Sequence, residues 1–89
     1  MVGVDEELKA AKAANAAIDA LLTRKSEVLA ALRKAKQVAI LNLSSGGALN
    51  EARAKVGIAL SGVTRNRPVK IDKAKAAIND WIRELETAG

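Results

Sequence analysis

The chain has 89 residues, with 15 Lys and Arg against 10 Asp and Glu, a net charge of +5, and no His, Cys, Phe or Tyr. It therefore lacks the side chain that titrates near neutral pH and the main ligands of zinc and other transition metals. Such a composition excludes a disulfide framework, argues for binding or assembly rather than catalysis, and is expected of a cytoplasmic protein.

The length suits one domain over residues 1–89, and a domain of this size removes only about 60 to 65 per cent of its unfolded surface from water. Only four of the 23 Val, Ile and Leu residues fall in the first 20 positions, where Ala dominates. Ala favours helix because it loses no side-chain entropy, but it buries little area, so this first helix needs close packing against a partner.

In chain order, Asp5 is a plausible helix cap, and Glu6 and Glu7 suit the positive end of the helix dipole. Leu8, Ala11, Ile18, Leu22, Leu29, Leu32, Ala39 and Leu43 recur at the spacing of one helical face. Residues 23–26 mark a bend with Ser26 as second cap, giving helices over about 5–23 and 26–43; one continuous helix is the alternative. Ser44, Ser45, Gly46 and Gly47 form the clearest break in the chain. A third helical stretch begins near Ala48 with Leu49, Ala52, Val56, Leu60 and Val63 on one face. Pro68 bars helix at Arg67. Asp72 then caps a last helix presenting Ala74, Ile78, Trp81 and Leu85. No alternating run suggests a sheet, so the expected fold is all-α, a small bundle of three to five helices.

Few constellations carry chemistry. Asp80 and Glu84 share a helix face but read as a solvated surface beside Arg83. No phosphate-cradling motif or calcium loop is present, and Ser44 and Ser45 have no histidine to activate them. No catalytic residue, metal, cofactor or small-molecule substrate is inferred. A membrane-surface role is discounted because the first segment offers Ala where such helices bury Trp, Phe and Leu.

Residues 49–66 hold the most specific local pattern. Ala52, Val56, Ile58 and Val63 occupy positions that a two-helix DNA-reading unit buries, Gly57 sits where its tight turn wants glycine, and Arg65 falls on the second helix. The segment resembles the helix-turn-helix unit of DNA-binding regulators, with residues 40–43 and the Gly46-Gly47 turn similar to the first helix of a three-helix version. That resemblance implies a second helix in the major groove, with Ser61, Thr64 and Arg65 facing base edges and Arg67, Lys70, Lys73 and Lys75 meeting phosphates. The segment departs from the pattern at Arg53, where a small residue normally packs, at Gly62 and at Asn66. The same residues also read as one continuous helix in which Gly57 and Gly62 permit close packing.

Two functions follow as expectations. The first is a non-enzymatic protein-interaction or assembly module that binds itself or another protein, most simply by self-association through Leu8, Ala11, Ile18 and Leu22. A designed bundle with no function beyond folding fits the same composition. The second is a duplex-DNA-binding module of a small regulator or phage packaging protein.

Overall fold

The computed structural model describes residues 3–44, 46–65 and 67–88, apart from the Thr64 side chain. Among the described residues five α-helices follow one another: α1 Val4–Ile18, α2 Ser26–Leu41, α3 Ala48–Ala59, the single turn α4 Ser61–Thr64, and α5 Ile71–Ala88, with a 3₁₀ turn at Leu21–Thr23 between the first two. No strand occurs among the described residues. The all-α bundle expected from periodicity is the observed fold. α1 packs on α2 and α5, while α3 packs on α5 and α2.

The bend between α1 and α2 is real. Arg24 adopts the left-handed conformation with φ 51°, and the Thr23 hydroxyl donates to Ala20 O at 2.7 Å. A non-Gly residue there cannot continue a right-handed helix. The second break lies at Gly46 and Gly47, whose φ values of 80° and 92° suit residues without a Cβ. Ser44 N donates to Asn50 Oδ1 across this connection at 2.7 Å. The expected caps shift by one or two residues. Gly3 and Lys25 hold the N-cap positions of α1 and α2, neither with a side-chain cap, while Asp5 sits inside the first turn and Ser26 opens its helix. Asp72 lies in the first turn of α5. A carboxylate anywhere in that turn meets the helix dipole favourably, so the sequence signal for a start is real but not exact in register.

The core runs through Ala11, Ala14 and Ile18 of α1, Leu32, Ala35 and Ala39 of α2, Val56 of α3, and Ala74, Ile78, Trp81 and Leu85 of α5. Small residues on α1 and α2 let the helix axes approach closely. The thin face of α1 is thus matched within the chain itself, by α2 and by the large side chains of α5.

Of the two readings of residues 49–66, a turn at Gly57 and a continuous helix, α3 follows the helix at Gly57. It runs straight through Gly57 to Ala59 and breaks at Leu60. Gly57 is buried, and a Cβ there would stand 3.3 Å from Ile40 Cγ1, so its smallness serves helix approach rather than a turn. The helix that follows is four residues long.

Candidate interaction surface

The most elaborate polar arrangement lies inside the bundle. The Glu7 side chain is fully buried, and both of its carboxylate oxygens are saturated. Oε1 accepts from Asn42 Nδ2 and Arg53 Nη2, each at 2.7 Å. Oε2 accepts from Arg53 Nε and Trp81 Nε1, again at 2.7 Å. Arg53 Nη1 also donates to Asn42 O at 3.0 Å. One residue each from α1, α3 and α5, with the C-cap of α2, therefore meets at a single carboxylate. Burial alone would push the Glu7 carboxyl upward, but the hydrogen bonds from Arg53, Asn42 and Trp81 and the guanidinium charge outweigh it and hold the group below the ordinary carboxylate value. A carboxylate with four donors and no exposure has no lone pair left for substrate or metal, so this node joins helices.

By sequence Glu7 belongs to the helix dipole and Arg53 departs from a motif; the structure joins them. The available signal was register. Glu7 stands four residues before Ala11 and eleven before Ile18, on the buried stripe of α1, and Arg53 sits between the buried Ala52 and Val56.

The surface feature of greatest interest lies where α3, α4, residues 67–70 and the start of α5 meet. Ile58, Ser61, Arg67, Val69, Lys70 and Lys73 are among the residues lining an open depression of about 270 Å³, and no Asp or Glu lines it. Gly62 makes this arrangement possible. A Cβ at that position would stand 2.8 Å from Val69 Cγ2 and within 3.3 Å of the Pro68 and Arg67 carbonyl oxygens, and Arg67 N donates to Gly62 O at 2.7 Å. Only glycine lets residues 67–69 lie this close to α4. Ile58, which the motif resemblance would bury, is 75% exposed at the edge of the depression. On its other side Gly57 meets Ile40, which belongs to an outward stripe of α2 formed by Arg33, Lys36, Gln37, Ile40 and Leu41. Ile40 and Leu41 are 45% and 58% exposed.

The residues singled out from sequence scatter accordingly. Ser61, Arg67, Lys70 and Lys73 are brought together in the depression. Arg65 is exposed just beyond α4, while the Thr64 side chain and Asn66 lie outside the described residues. Lys75 is engaged instead with Asp19, Nζ to Oδ1 at 2.8 Å. Of the proposed self-association face, Ala11 and Ile18 are fully buried in the chain's own core, Leu8 packs against that core, and only Leu22 stands out, 85% exposed. That stripe is consumed by folding, because α2 and α5 cover it. Asp80 is bridged by Arg83 at 2.9 Å on the surface. No cluster of metal-binding side chains occurs among the described residues, and no helix among them is long and apolar enough to cross a membrane.

No protein-family model, curated protein or solved structure matches the chain.

Proposed function

We propose that the protein is a non-enzymatic cytoplasmic interaction module that binds another protein through Ile58 and the cationic depression beside it. The position of Ile58 supports this reading. It stands 75% exposed next to Arg67, Lys70 and Lys73, whereas Val56, Leu60 and Val63 in the same segment are buried. Covering such a side chain contributes up to roughly 1.5–3 kcal/mol, the scale of an interface anchor. Association between copies is the weaker form of this reading, since a second copy brings the same positive charge to the contact; sedimentation over a wide concentration range measures it. A display selection of short peptides on the immobilised chain tests the proposal directly. Enriched ligands that lose binding to an Ile58→Gln variant support it, and ligands indifferent to that change, or no enriched ligand at all, would defeat it.

Duplex DNA is the second reading, favoured by the grouping of Ser61, Arg67, Lys70 and Lys73 in a depression without carboxylates. With only one helical turn after α3, contact falls on phosphates rather than base edges, so binding is steeply salt-dependent and insensitive to sequence. An electrophoretic shift that survives Ile58→Gln but is lost in Lys70→Ala with Lys73→Ala identifies this case.

A further inference from the structure

Resting on the protein-interaction reading, we propose that the segment seated in the depression is an acidic peptide, in which Asp or Glu residues flank one apolar side chain. The apolar side chain lies against Ile58, and the flanking carboxylates meet Arg67, Lys70 and Lys73. Charge complementarity is the first argument. The ion pairs among the described residues engage Arg53, Lys75 and Arg83, and none of them engages Arg67, Lys70 or Lys73. Lys75, two residues further along α5, has Asp19 as its partner, whereas no carboxylate lines the depression beside Ile58; Asp72 lies between Lys70 and Lys73 in a neighbouring hollow, bonded to neither, and leaves Arg67, Lys70 and Lys73 in net positive excess. Arg33 and Lys36 continue the positive field on the α2 stripe beyond Ile40 and Gly57.

Size and polarity narrow the occupant further. About 270 Å³ of open space is small for a cofactor and suits one or two side chains of a bound segment. A phosphate backbone would leave Ile58 in water, and the chain offers one aromatic residue, the buried Trp81, so bases have no platform to stack on. A second copy of the chain would set cation against cation. An acidic segment with an apolar anchor satisfies both the charge and Ile58. The bond from Arg67 N to Gly62 O holds residues 67–69 against α4 in the space that Gly62 leaves open, so little ordering is required of the protein on binding.

The experiment is a titration of the full ¹⁵N-labelled chain with synthetic peptides. One carries a central Leu among Glu residues, a second has Lys in place of Glu, and a third has Ser in place of Leu; a short duplex DNA is the fourth ligand. The Glu–Leu peptide is expected to shift amide resonances in residues 57–63 and 67–75. Its affinity should fall at least about tenfold in the Lys70→Glu with Lys73→Glu variant, which should now accept the Lys–Leu peptide. Ellipticity checks that this variant, altered only at exposed positions, is folded. Equal binding of the Glu–Leu and Lys–Leu peptides to the unmodified chain overturns the acidic partner while leaving protein interaction through Ile58 intact. Equal binding of the Ser-containing peptide removes the apolar anchor. Response to DNA alone overturns this inference and the reading beneath it together.

Discussion

Two groups of cations in this small protein meet opposite fates. Arg53 is buried and directs three nitrogens at fixed acceptors, two of them on Glu7 oxygens and one on Asn42 O, while Arg67, Lys70 and Lys73 line one hollow that contains no carboxylate. The first arrangement is closed: each Glu7 oxygen accepts two bonds, and no lone pair of the carboxylate is left to offer a ligand. The second is open, and an exposed isoleucine stands beside it. In a chain without imidazole or thiol, the difference separates charge that specifies the fold from charge available to a partner.

The closed arrangement breaks with the largest effect. Glu7→Ala strands the Arg53 guanidinium among buried groups and should cost about 3–5 kcal/mol in urea unfolding, a large fraction of the roughly 5–15 kcal/mol that holds a typical domain together. Glu7→Leu combined with Arg53→Met should recover part of this loss, because no unpaired charge then remains. Acid tests the same node. The folded-state value of Glu7 is depressed, so its contribution is fully present above the ordinary carboxylate value of 4.5 and is lost as pH falls through the lower folded value. Unfolding free energy measured across that window should fall less steeply in the Glu7→Leu, Arg53→Met protein than in the unmodified chain; equal slopes would dissociate Glu7 from acid sensitivity.

On the open side the effects are smaller. Gly62→Ala forces a Cβ against Val69 and two carbonyl oxygens. It should destabilise by about 1–3 kcal/mol even though Ala is the better helix former. Weakest of all is Lys75→Ala, which removes an ion pair whose side chains are 41% and 59% exposed. A change of about 0–1 kcal/mol in thermal or urea unfolding is expected. A loss as large as that of Glu7→Ala would erase the distinction between interior and surface charge.

Much of the fold was legible because it depends on local period. Ala74, Ile78, Trp81 and Leu85 read as one face of a helix and are all buried, and the breaks at Gly46-Gly47 and before Pro68 fall where backbone chemistry requires them. What escaped depends on long-range pairing. Glu7 finds Asn42, Arg53 and Trp81 at sequence separations of 35, 46 and 74, and no pattern within a single helix announces those meetings. Gly57 and Gly62 were ambiguous for the same reason, since whether a glycine turns the chain or admits a neighbour depends on what lies across from it. The depression could be guessed only in part. The cations at 67, 70 and 73 were visible as a run, but their convergence on Ile58 follows from the break at Leu60.

Trp81 is the one aromatic residue in the chain, and its indole N–H is bonded at the point where α1, α2, α3 and α5 converge. Its fluorescence is therefore an intrinsic gauge of the joint between the helices, available without any label. If emission and helical ellipticity change together during denaturation, the bundle melts as one cooperative unit; if the indole reports first, the joint opens before the helices unwind.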